Sequence, residues 1–146
     1  MAQVISATIR RAQRGNSGYA QRQHFLAQAL LLLNESRALA AEGKYDLALE
    51  KAYQSGLRTA GAAMATSSVI AKRKRLPSSA WDRLELVGSA EKEWASSFRA
   101  HSRTRSRVLS GMLRDVSSAV VYEVMDLAAQ FLMSVESGDQ FIADAA

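Results

Sequence analysis

The chain has 146 residues, 48% apolar and 23% charged, a length and balance that suit one folded domain and exclude an extended disordered chain. It contains no cysteine, which excludes disulfides, thiolate nucleophiles and cysteine-bound metals, and only one proline, so long helices meet few breakers. Its net charge of +5 is segregated: residues 72–114 hold eleven Lys and Arg against four Asp and Glu, whereas residues 115–146 hold six Asp and Glu and no Lys or Arg.

In chain order, residues 3–13 read as a first, loosely held helix that ends in "RGNSG", where Gly15, Asn16 and Gly18 supply turn chemistry. A second helix is expected from about Tyr19 to Glu42, with Phe25, Leu26, Ala29, Leu30, Leu33 and Leu39 at amphipathic spacing. Gly43 should close it, because glycine takes the left-handed conformation without steric cost. The next helix starts near Tyr45 or Asp46, whose carboxylate suits the positive end of the helix dipole, and runs to about Lys72. The result is a tight antiparallel hairpin, in which Ser55, Gly56, Ala60, Gly61 and Ala63 allow close approach.

The stretch "KRKRLPSSAWD" reads as a linker, and Ser79 with Asp82 three residues on resembles a capping box. A helix follows through Trp81, Leu84 and Leu86, breaks at Gly88 and Ser89, and resumes from about Ala90 to Leu113. The last helix, about residues 115–136, has a wide apolar arc from Val116 to Val135, which suits the centre of a bundle or a subunit interface. It also carries Glu123, Asp126 and Gln130, which disfavour a bilayer. The expected fold is all-α: a single-domain antiparallel helical bundle of about five helices over residues 19–137. An N-terminal helix and turn over 1–18 precede it, and a mobile tail over 138–146 follows.

"GKYDLALEKAYQSG" has the look of a tetratricopeptide repeat, but one 34-residue period beyond Gly43 and Tyr45 lie Pro77 and Ser79, in the linker and at a helix cap. The longer stretch "ALLLLNESRALAAEGKYDLALEKAYQSGLRTAGAAMA" resembles the leading hairpin of the HEPN (higher eukaryotes and prokaryotes nucleotide-binding) superfamily. There a long helix ends near a glycine, a tyrosine follows, and an alanine-rich helix packs back. The resemblance implies an HEPN-like bundle that acts as a homodimer and binds nucleotide or RNA. Catalytic members are metal-independent ribonucleases with an arginine, four to six residues, then a histidine. The arginine is missing here: the required positions before His24 hold Ser17, Gly18 and Tyr19, and those before His101 hold Trp94, Ala95 and Ser96.

His101 and Arg105 form the best local candidate site, on one helical face with Trp94, Phe98, Val108 and Met112. Their order is the reverse of the family motif, so the bland alternative is a histidine bonded to the acidic helix and an arginine paired with Glu123 or Asp126. On another face of the same helix, if it is continuous, Lys92, Arg99, Arg103, Arg107 and Arg114 gather as a candidate anion-binding set. A solvated basic face is the competing reading, and the run Lys72, Arg73, Lys74, Arg75 has the same two readings, mobile linker or phosphate clamp. Glycine-rich phosphate loops, dinucleotide fingerprints and zinc-protease histidine pairs are missing from the sequence, so no cofactor or metal is expected. Glu35, Asp46 and Glu50 are carboxylates that the hairpin could bring together.

The function expected is a non-catalytic binding or regulatory module that contacts a nucleotide, RNA or a partner protein through a basic helical face. The alternatives are a ribonuclease with a displaced His101/Arg105 site and a purely structural dimeric adaptor. A homodimer through the apolar terminal helix, no membrane partner and a cytoplasmic location complete the expectation; the N-terminal stretch "MAQVISATIRRAQRGNSG" lacks the long apolar core of a secretory signal.

Overall fold

The computed structural model describes the backbone of residues 2–145 and the side chains of residues 17–138. Seven helices and no strand occur among the described residues: α1 (Ala2–Ala41), α2 (Tyr45–Ala65), α3 (Ser68–Lys72), α4 (Ala80–Glu85), α5 (Ser89–Arg99), α6 (Ser102–Leu109) and α7 (Ser118–Ala145). The fold is all-α, as the sequence predicts, with more and shorter helices in its second half. The loose start and mobile tail expected at the two ends concern side chains that are, for the most part, outside the described set.

α1 and α2 form the predicted hairpin. Gly43 has φ 76°, and the N–H groups of Gly43 and Lys44 donate to the carbonyls of Ala40 and Leu39 at 3.0 and 2.9 Å, a Schellman closure. The turn expected at Gly15, Asn16 and Gly18 does not form, since α1 runs through it. Gly18 serves a close approach instead: a Cβ there would lie 2.9 Å from the Ala65 carbonyl oxygen. One turn later Arg22 donates to the carbonyls of Ala62 and Val135 at 3.1 and 3.2 Å, joining α1 to α2 and α7. Small residues draw the hairpin together, and the buried Ser55 hydroxyl donates to the Ala29 carbonyl at 2.7 Å. Further along, the buried Ser36 hydroxyl donates to the Ala48 carbonyl at 2.7 Å.

α2 stops at Ala65, seven residues before the expected end. Thr66 turns the chain, and the Ser67 hydroxyl accepts from the Ile70 N–H at 3.3 Å to start α3. Ser79 is the N-cap of α4, but its side chain makes no capping bond; Asp82 accepts from Arg99 instead, at 2.7 Å. The capping box therefore does not form. The break at Gly88 and Ser89 appears where the sequence places it.

The expected continuous helix from Ala90 to Leu113 is interrupted at Ala100 and His101. This turn lets α5 keep Phe98 fully buried while α6 directs Arg105 onto α2. Gly111, with φ 76°, closes α6 as Gly43 closes α1, and the Met112 N–H donates to the Arg107 carbonyl at 2.9 Å. Met112 is left 76% exposed, so it does not share the buried face with Trp94 and Phe98.

Of the two apolar clusters among the described residues, one joins α1, α2 and α7 around Leu49 and Val124, and the other, which also takes in Leu26, Ala29 and Leu33 of α1, is built on an aromatic group between α2, α4, α5 and α7. Trp81 and Phe98 stack at 4.8 Å, Trp94 and Phe131 at 5.1 Å, and the Trp81 indole N–H donates to the Tyr53 hydroxyl at 2.6 Å. Aromatic pairs of this kind add about 1 kcal/mol each beyond their area burial. α7 contributes Val121, Val124, Met125, Ala128, Phe131 and Leu132 to the buried set and packs on α2 and α1. By length and composition Ser118–Gly138 could cross a bilayer, yet these six side chains are enclosed by protein.

Candidate functional site

The two candidate site residues, His101 and Arg105, face different helices. Arg105 donates to both carboxylate oxygens of Glu50 on α2, at 2.8 and 2.7 Å, and its guanidinium carbon lies 4.5 Å from the centre of the Tyr53 ring. Gln54 donates to the same carboxylate at 2.8 Å. Burial raises the Glu50 pKa, but the hydrogen bonds from Arg105 and Gln54 outweigh it and hold the group below its ordinary value. The bond to Glu50, opposed by burial, raises the Arg105 pKa in turn. The sequence offered Glu123 or Asp126 as partners of Arg105; the structure gives Glu50, fifty-five positions away in the chain.

His101 sits at the start of α6, with its side chain 16% exposed and Nε2 3.7 Å from Glu123 Oε1 on α7. It lines an open cleft of about 330 Å³ with Ser97, Ala100, Glu123, Asp126, Leu127 and Gln130. Among the described residues no Lys or Arg lines this cleft. A histidine beside a carboxylate can exchange protons, but cleavage of a phosphodiester also needs a positive group at the developing charge. The Arg105 side chain is held away on Glu50; the backbone N–H of Arg105 donates to the His101 carbonyl at 3.0 Å, but no ion pair or hydrogen bond links the two side chains among the described residues.

The candidate anion-binding set divides into bound and unbound members. Arg99 is tied to Glu85 and Asp82, with its pKa raised first by the bond to Glu85, so it braces α5 against α4. Lys92, Arg103, Arg107 and Arg114 are exposed and make no ion pair among the described residues. Arg103 and Arg107 lie four residues apart on α6, on the side opposite Arg105 and the half-buried Val108. Lys92 is on α5 and Arg114 follows the Gly111 turn, so the five positions do not form one continuous helical face.

The acidic helix does not neutralise this surface: among the described residues of α7, Glu123 meets only His101, Asp126 accepts from Gln130, and neither pairs with Lys or Arg. The hairpin carboxylates also stay apart, since Glu35 pairs with Lys51 at 3.1 Å and Glu50 with Arg105. No group of three His, Asp or Glu able to hold a metal occurs among the described residues. The sequence did not reveal Glu50, Tyr53 and Gln54 as the seat of Arg105. The spacing of Glu50, Tyr53 and Gln54 on one side of α2 was its only trace.

Compared with known proteins, residues 40–136 match a family model described as HEPN_SAV_6107-like HEPN. The match runs from the hairpin turn through α2–α6 and into α7, beyond the stretch that carries the resemblance in sequence. Neither the curated proteins nor the solved structures give a significant match.

Proposed function

The chain belongs to the SAV_6107-like HEPN family, and from this premise we propose that it is a non-catalytic binding or regulatory module whose ligand is RNA. The contact is made through Arg103 and Arg107 on α6, with Lys92 and Arg114 as outlying cations. One observation carries this reading: of the basic residues from α5 to α7, two are neutralised by internal carboxylates, while Arg103 and Arg107 stand exposed with no acid paired to them among the described residues. Such cations attract phosphates with little dependence on base sequence.

Binding is favoured over cleavage because the family's arginine is missing before both histidines and Arg105 is engaged by Glu50. The test is fluorescence anisotropy of labelled single-stranded RNA across a salt series. Saturable binding that weakens steeply with salt is expected, and Arg103→Ala with Arg107→Ala should lower the salt slope by about 1.4, about 0.7 per contact. RNA that stays unbound at low salt would overturn the reading and leave the structural adaptor. Cleavage of the RNA that disappears in His101→Ala would instead establish the displaced ribonuclease site.

A further inference from the structure

We propose that Lys72, Arg73, Lys74 and Arg75 form a second phosphate-contacting site, so that the ligand is an extended single-stranded RNA and not a mononucleotide. This rests on the RNA-binding reading above. All four side chains are exposed, and none has an ion-pair partner among the described residues. Four successive like charges repel one another, and an external polyanion relieves that repulsion.

The run is also bounded at both ends by local hydrogen bonds. On one side the Ser67 hydroxyl caps α3, which itself buries no residue; on the other the Pro77 carbonyl accepts from Arg83 Nε of α4. Lys72 ends α3 and the other three cations follow it, so the run is part of an exposed arch that joins α2 to α4, two helices packed against each other. An arch tethered at both ends loses less freedom on binding than a free basic tail.

Its position extends the footprint. The arch follows the C-terminal end of α2 at Ala65, whereas α6 is fixed to α2 at Glu50. At its other end the arch leads into α4, whose Trp81 donates to Tyr53 of α2, beside the seat of Arg105. The two cationic groups thus belong to different segments joined to the same helix α2. A ligand long enough to touch both binds the second group at high effective concentration, which a mononucleotide does not do.

Oligouridines of about 3 and about 15 nucleotides carry fewer and more phosphates than the roughly six cations of the two groups can contact. Anisotropy titrations should show the longer one binding at least about tenfold more tightly. Combining Lys72→Ala, Arg73→Ala, Lys74→Ala and Arg75→Ala should abolish most of that advantage and lower the salt slope for the longer RNA by up to about 3. Circular dichroism of this variant should be unchanged, since the arch contributes nothing to the core. If the longer RNA binds the fourfold variant as well as wild type, yet still depends on Arg103 and Arg107, the second site is overturned and RNA binding stands. If neither oligomer binds at low salt, both are overturned.

Discussion

Arg105 on α6 grips Glu50 on α2 through two hydrogen bonds of 2.8 and 2.7 Å, while its guanidinium lies against the Tyr53 ring. The pair is part-buried, with side-chain exposures of 27% and 18%. Removing one partner leaves the other charge without compensation. Arg105→Ala should therefore cost about 2 kcal/mol in a urea titration, and Arg105→Lys should recover little, because an ammonium cannot supply the paired donors. A loss below about 0.5 kcal/mol would mean that the pair behaves like an ordinary surface ion pair.

The same carboxylate sets a pH dependence. The Glu50 pKa is lower in the folded chain than its ordinary 4.5, so its stabilising contribution is complete above that value. It is lost as pH falls through the folded value, where the carboxylate gains its proton and releases Arg105. Stability measured between about pH 6 and pH 3 should fall less steeply in Glu50→Gln than in wild type, from a lower starting level. Parallel acid limbs for the two proteins would assign the acid loss to other groups.

Gly56 is the seat of Phe98. A Cβ at position 56 would stand 2.3 Å from Phe98 Cε1, inside the aromatic group. Gly56→Ala should lower stability by about 1–3 kcal/mol through overpacking, with partial recovery when combined with Phe98→Leu. Gly43→Ala meets open space and should cost only the left-handed backbone term, about 1–2 kcal/mol, with no recovery from Phe98→Leu. Thermal denaturation of the two single and two double variants separates the two mechanisms.

The homodimer expected from the terminal helix requires a surface that the core does not use. On α7, Tyr122 and Met133 are 51% and 66% exposed and fall on one stripe, since eleven residues are close to three helical turns. Tyr122→Glu combined with Met133→Glu should shift a dimer to monomer in analytical ultracentrifugation while leaving the circular dichroism spectrum intact. Wild-type protein that sediments as a monomer at high concentration would remove this interface from consideration.

What the sequence disclosed was local. Gly43 acts within a turn and lies where α1 ends; the break at Gly88 and the apolar arc of α7 were legible for the same reason, whereas the end of α6 at Gly111 falls inside the helix expected to reach Leu113. Gly18 misled, because a glycine serves close packing as well as turning, and only the presence of the Ala65 carbonyl decides between them. The candidate site was legible as a list of residues and illegible as an arrangement. Helical periodicity put His101 and Arg105 on one face, but the turn at Ala100 sends them to α7 and α2. Charge segregation fits either a polyanion-binding face or basic and acidic helices held against each other, and in the structure the partner of Arg105 comes from the hairpin.

The enclosure of both tryptophans in one aromatic group gives the chain an optical signal of narrow meaning. Trp81 stacks on Phe98 and Trp94 on Phe131, so indole emission follows the seating of α4 and α5 against α2 and α7. The arch at residues 72–75 and the outer arginines of α6 contain no tryptophan. A spectral shift during denaturation thus marks the opening of the interior, and ligand capture on the basic surface is best followed from a label on the ligand.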